Sequence, residues 1–167
     1  MNTPSSPLSE IPPLGFLAGV SAEHRAFLTG FGRFDRPEKG LPFIHEGSAQ
    51  DSISLVLEGT MHVMTALDQQ PLVLAELGPG DVIGEVNLFD PSAASATVIA
   101  RSQCLIWSMT RDELSGLIES DLEAGHSVMW GLLHLLSHRV RQMNGKLLEY
   151  RDLTTRLAYE RHPYDND

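Results

Sequence analysis

Three hydrophobic patterns follow one another along the chain. Residues 22–31, AEHRAFLTGF, have helical spacing behind Ser21, which predicts a short helix N-capped by that serine and stopped at Gly30 or Gly32. From about Leu41 the period falls to two. In SISLVLEG, Ile53, Leu55 and Leu57 alternate with Ser52, Ser54, Val56 and Glu58, which predicts a half-buried strand with the first set facing inward. The runs MHVMTAL, PLVLAEL, DVIG, ATVIA and CLIWSM read as further strands, and the breaks EGS, EGT, DQQ, GPGD and DPSAAS carry turn chemistry. Short strands at this spacing predict an antiparallel sandwich or barrel with jelly-roll-like closure, so the fold class is mainly β with flanking helices.

Near Thr110 the period becomes helical again. TRDELSGLIESD places Thr110 three residues before Glu113, the capping-box spacing, and predicts a short helix. A longer helix starts at about Asp121. In it Met129, Leu133, Leu136, Val140, Met143, Leu147, Tyr150, Thr154 and Leu157 recur at alternating spacings of four and three, and all but Thr154 are apolar or aromatic. That is a coiled-coil seam. Packing on the strands accounts for residues 128–136. From Val140 onward the seam asks for a partner helix, most simply from a second copy, so a homodimer is expected through Leu133, Leu136, Val140, Met143, Leu147 and Tyr150. Gly145 costs this helix about 1 kcal/mol relative to alanine and marks a bend or a close helix approach. The expected organisation is a loosely ordered leader at 1–14, a β-roll with short helices at 15–120, the long helix at 121–160 and a tail at 161–167.

Composition narrows the function. With 167 residues, 42% of them hydrophobic, the chain can bury one sizeable core. A lone cysteine, Cys104, forms no internal disulfide and supplies no multi-thiolate metal site, which fits a reducing cytoplasm. The start lacks a signal-peptide pattern and no apolar run reaches membrane-spanning length, so a soluble, cytoplasmic protein without membrane attachment is expected. Net charge is −10. Between residues 41 and 110 the only cation is Arg101, while Arg139, Arg141, Lys146, Arg151, Arg156 and Arg161 crowd the C-terminal helix among acids. An acidic body of this kind is a poor partner for phosphates, so no direct nucleic-acid binding is expected. His134 and His138 sit four apart on one helix face without a visible third ligand, and no His-x-His of the cupin kind occurs, so no metal site is expected. No nucleophile motif or phosphate-binding GxxxxGK occurs, so no catalytic residue is assigned and the protein is expected not to be an enzyme.

Three stretches carry a family likeness: PFIHEGSAQDSISLVLEGTMHV with Gly47 and Gly59 at its turns, LAELGPGDVIGEVNLF, and SATVIA. With the order of elements, they make residues 14–160 resemble a cyclic-nucleotide-binding domain of the catabolite-activator and FNR superfamily. The resemblance implies a jelly-roll-like β-roll, or double-stranded β-helix, with a short N-terminal helix and a long C-terminal dimerisation helix. It implies a loop after Gly84 and Glu85 that folds around a cyclic phosphate, with cyclic AMP or cyclic GMP as effector. Gly84 would let the backbone come close, the amides opening EVNLF would face the anion, and Glu85 would accept from the ribose hydroxyl. The implied ligand residues are Gly84, Glu85, Val86, Ala94, Ser95 and Ala96, with Asn144 capping the base. The family's phosphate-clamping arginine falls at Ala94, and Arg101, Arg139 and Arg141 are the candidates to replace it.

In transcription factors of that superfamily the long helix leads through a hinge into a helix-turn-helix domain. RDLTTRLA at residues 151–158 resembles the hinge, and the sequence stops nine residues later. A single-domain sensor of a small molecule is therefore expected. The alternatives are a ligand-free dimerisation or protein-partner module, and the effector part of a regulator whose DNA-binding domain is missing.

Overall fold

The computed structural model describes residues 7–67 and 70–161. Most of the expected tail lies outside them, as does the leader before residue 7. In the described part of the leader, Ile11 is fully buried, and the Arg25 guanidinium donates to its carbonyl at 2.8 Å. A 3-10 turn follows at Gly15–Leu17. Helix α1 (Ala22–Phe27) starts where Ser21 predicts it, the serine hydroxyl accepting from the His24 amide, and ends through a 3-10 turn at Gly30.

The β region has ten strands among the described residues, all paired antiparallel. In chain order they are β1 (Arg33–Asp35), β2 (Pro42–Ile44), β3 (Ala49–Gln50), β4 (Ser52–Glu58), β5 (Met61–Leu67), β6 (Gln70–Leu77) and β7 (Val82–Ile83), then, after helix α2 (Glu85–Phe89), β8 (Ser92–Ala93), β9 (Thr97–Ala100) and β10 (Leu105–Thr110). Two four-stranded sheets, ordered β1-β10-β4-β7 and β2-β9-β5-β6, face each other, and a small ribbon pairs β3 with β8. This is the expected jelly-roll class. The sheets share an interior cluster to which Val56 and Ile106 contribute from one side and Ile44, Met61, Val98 and Ala100 from the other.

Strand β4 departs from the half-buried expectation. Ile53 through Leu57 are all buried. Ser54 and Val56, read as outward from the alternation, face the interior, where the Ser54 hydroxyl meets Ser108 Oγ at 2.8 Å. Each hydroxyl satisfies the other, which removes the cost of burying them. The opposite face is covered too. There Leu55 pairs with Trp107, whose ring lies 6.5 Å from Phe16 and whose Nε1 donates to the Phe31 carbonyl at 3.0 Å. The sequence pattern shows one apolar face per strand, but this strand sits between a β interior and a helical layer.

Helix α3 (Arg111–Ser120) opens with the predicted capping box: the Glu113 amide donates to Thr110 Oγ1 at 3.2 Å and the Thr110 amide to Glu113 Oε2 at 2.7 Å. Helix α4 (Leu122–Arg161) is capped by Asp121, which accepts from the amides of Glu123 and Ala124. The chain divides after Leu132 into two compact units, and Ala124, Val128 and Leu132 of α4 are buried in the first. In the second, Val140, Met143, Leu147 and Tyr150 are each more than half exposed on the single chain and Leu136 is half-buried; Leu133 is 47% exposed, and the neighbouring Leu148 is exposed as well. No helix among the described residues is long and apolar enough to cross a membrane.

Two glycines of α4 predict opposite responses to alanine. A Cβ on Gly131 would overlap the Phe16 carbonyl, whereas a Cβ on Gly145 meets nothing within 4 Å. Among the described residues of the single chain no close approach is made to Gly145. Gly131→Ala should cost about 1–3 kcal/mol by overpacking, and Gly145→Ala should gain about 0.5–1 kcal/mol of helix propensity. Urea denaturation of both variants checks the pair, and equal shifts would contradict the packing of α4 on the Gly15–Leu17 turn.

Candidate functional site

The candidate cradle runs from Gly84 to Ala96 and is positioned by β4. Pairing of Ser54 with Ile83 and Leu55 with Val82 brings β7 alongside β4, so the chain leaves β7 beside the Ser52 carbonyl. Gly84 turns there with φ 79° and ψ 20°, the left-handed region, and any Cβ would collide with that carbonyl. The turn starts α2, anchored by the fully buried Leu88. Glu85 is buried at 6% exposure, while Val86 is 56% exposed.

The loop after α2 is strapped rather than free. The Asn87 side-chain amide donates to the Ser92 carbonyl at 3.1 Å and to its hydroxyl at 3.0 Å. The stretch DPSAAS, expected to be turn only, contains β8, whose Ser92 and Ala93 pair with Gln50 and Ala49. Beyond it the Ala94 amide donates to the Ser48 carbonyl and the Gly47 amide to the Ala94 carbonyl, both at 2.8 Å. The Ala94 side chain packs against the interior cluster, as do half-buried Phe43, Val63 and Ile83. Ser95 is exposed and Ala96 buried.

Of the predicted ligand residues, Gly84, Glu85, Val86, Ala94, Ser95 and Ala96 thus stand on the two arms of one strapped loop. Asn144 belongs to the second unit, where it is exposed. Sequence reasoning missed Glu46, Thr65 and Thr97. The Glu46 amide donates to Thr97 Oγ1 at 3.1 Å, and its carboxylate accepts from Thr65 Oγ1 at 3.0 Å. Glu46 follows β2, Thr65 lies within β5 and Thr97 opens β9, and no spacing in the sequence joins them.

The backbone of Arg101 lies away from the Thr97 end of β9. It follows β9 at the end away from Thr97, its amide bound to the Thr60 carbonyl, and four residues of strand separate it from Thr97 by about 13 Å. Arg139 and Arg141 belong to the second unit. His62 is partly covered by Glu76, with Nε2 3.1 Å from that carboxylate. Among the described residues no cluster of three or more histidines, cysteines or acids is arranged to hold a metal. An open depression of about 430 Å³ lies beside the β3–β8 ribbon, lined by Gly47 and residues 49–51 and 91–93, with Asp51 its one charged group.

A β-roll with a strapped glycine-glutamate loop and a long C-terminal helix is the architecture of sensor and regulatory domains. The profile described as cyclic nucleotide-binding domain matches residues 36–121, and the chain belongs to that family. It is 29% identical over 124 residues to the cyclic AMP receptor protein of Thermus thermophilus, covering 72% of this chain and 56% of that protein. It is 27% identical over 123 residues to the CRP-like cAMP-activated global transcriptional regulator of Mycobacterium tuberculosis, covering 72% and 53%. The crystal structure of the Thermus thermophilus catabolite activator protein superposes with a TM-score of 0.70 at 26% identity, over 84% of this chain and 62% of that one. The chain spans about half the length of the curated relatives it matches.

The left-handed turn can be tested directly. Gly84→Ala should lower stability by about 1–3 kcal/mol, since the backbone conformation and the Ser52 carbonyl both oppose a Cβ. An unchanged denaturation midpoint would mean that the turn is not held in this shape.

Proposed function

We propose that the protein is a non-enzymatic sensor: a small effector occupies the loop between Gly84 and Ala96, and its presence is passed to α4, through which two copies associate. The observation that carries this is the prebuilt loop. A left-handed glycine, a buried glutamate, a two-residue ribbon and a pair of 2.8 Å backbone bonds fix its shape. Preorganisation of this kind lowers the ordering cost of binding.

A route to α4 lies within the first unit. The Gly78–Asp81 turn leads into β7 and the cradle, and its Gly80 carbonyl touches Gly15; the next residue, Phe16, lies against Gly131 of α4. These contacts are backbone on backbone, so no flexible side chain absorbs a displacement. The exposed apolar residues Leu133, Val140, Met143, Leu147 and Tyr150, with half-buried Leu136, are the surface on which a second copy would pack. By relationship to the regulators named above, the domain would act in the cytoplasm as the effector part of a transcriptional response, with cyclic AMP or cyclic GMP as the first effectors to test. A protein partner that reads the helix would serve the same role.

Titration calorimetry with cyclic AMP and cyclic GMP on the wild type and on Ala94→Arg tests the cradle. A charge-assisted bidentate clamp at position 94 should raise affinity about a hundredfold or more over the wild type. Silence from both folded proteins would overturn the cradle and favour a module that works without ligand, a reading to which the packing of Ala94 on the interior cluster already lends support.

The helix surface is tested separately. Met143→Glu with Leu147→Glu should convert a dimer to a monomer in sedimentation velocity while leaving circular dichroism of the β-roll unchanged. A wild type that sediments as a monomer at micromolar concentration would remove the dimer from the proposal.

A further inference from the structure

Resting on the cradle reading above, we infer that the natural effector carries no net negative charge: the loop is built for an uncharged ring compound bearing hydroxyl or amino donors. Four features of the site point this way. The first is position 94 itself. Its side chain is a methyl group seated on the interior cluster, and both its backbone groups are taken, the amide by Ser48 and the carbonyl by Gly47. Nothing at this position is left to meet an anion.

The second is the apolar character of the other side chains packed on that cluster with Ala94. Phe43, Val63 and Ile83 are half-buried on the same cluster, and their side chains carry no donor or acceptor. An apolar ring covering them removes carbon surface from water, whereas an ionic group placed there loses hydration without a partner.

The third is the placement of acceptors. Glu85 is buried on one arm of the loop. Glu46 stands by the other, next to Gly47, with its carboxylate held by Thr65 and its amide on Thr97. Carboxylates in these positions accept hydrogen bonds from hydroxyl and amino donors.

The fourth is the surrounding charge. Arg101 is the only cation between residues 41 and 110, against eight acids, and it lies at the far end of β9. The next cation, Arg111, opens α3 with its amide on the Asp51 carbonyl. The formal charge between residues 41 and 110 is therefore strongly acidic, which disfavours an anionic ligand.

Matched probes separate charge from shape. Cyclic AMP, its uncharged phosphate methyl triester and adenosine share one base and one sugar. Calorimetry should find that the wild type binds at least one of the two uncharged probes about tenfold or more tightly than cyclic AMP, and that Ala94→Arg reverses the order. Preference of the wild type for cyclic AMP would overturn the inference, and loss of that preference in Arg111→Ala would identify the cation responsible. A wild type silent to all three probes also overturns it. In that case binding of cyclic AMP by Ala94→Arg keeps the cradle reading alive, while silence from that variant as well takes the cradle reading down with it.

Discussion

The structure depends on the burial of β4 from both sides. Five consecutive residues, Ile53 to Leu57, lose contact with water, three toward the helical layer and two toward the interior. Few positions in a domain of this size are so constrained, and a close-packed interior transmits any change there to its neighbours. β4 pairs with β10 and β7, its Ser52 carbonyl sets the left-handed turn at Gly84, and Leu55 packs against Gly15. The cradle and the N-terminal turn that touches α4 are therefore both referred to one strand.

That arrangement explains how the loop is held at several points along its length. A loop held only by its ends samples many conformations and must be ordered when something binds. Here the segment between Asn87 and Ala94 is fixed by a side-chain amide, a two-residue ribbon and a pair of backbone hydrogen bonds. The cost of ordering is met in folding, by the same sheets that bury β4. On the reading proposed above, what the loop selects would be decided by the Ala94 methyl, the apolar side chains packed on the same cluster and the carboxylates of Glu46 and Glu85.

Much of this was legible in the sequence wherever the cause is local. Ser21, Thr110 and Asp121 mark helix starts because a short polar side chain and the amides it caps lie within one turn of one another. Gly84 and Glu85 were legible because the turn needs a glycine and the family likeness supplies the context. The outward reading of Ser54 and Val56 failed because alternation reports one apolar face, and the second face of β4 is covered by helices distant in the chain. The ribbon strand β8 has two residues and so no period to detect. Glu46, Thr65 and Thr97 meet only through the register of β2, β5 and β9, and register is fixed by tertiary packing. The prolines and serines around Ile11 predict a loose leader, yet the Arg25 guanidinium reaches back to its carbonyl from α1.

The substitution at position 94 has a further consequence for the way such a domain can switch. A phosphate clamped by arginine supplies a strong, short-range pull on its loop, and that pull is available to move the rest of the domain. An uncharged ligand on an apolar floor supplies a weaker and less directional force, so less can be spent on remodelling the loop. A loop that is already strapped needs little remodelling. The backbone contacts from Gly80 to Gly15 and from Phe16 to Gly131 leave little slack in which a small displacement would be lost. The stiffness of the loop and the missing charge are thus consistent with each other: an effector that pulls weakly can act only on a frame that yields little before it moves.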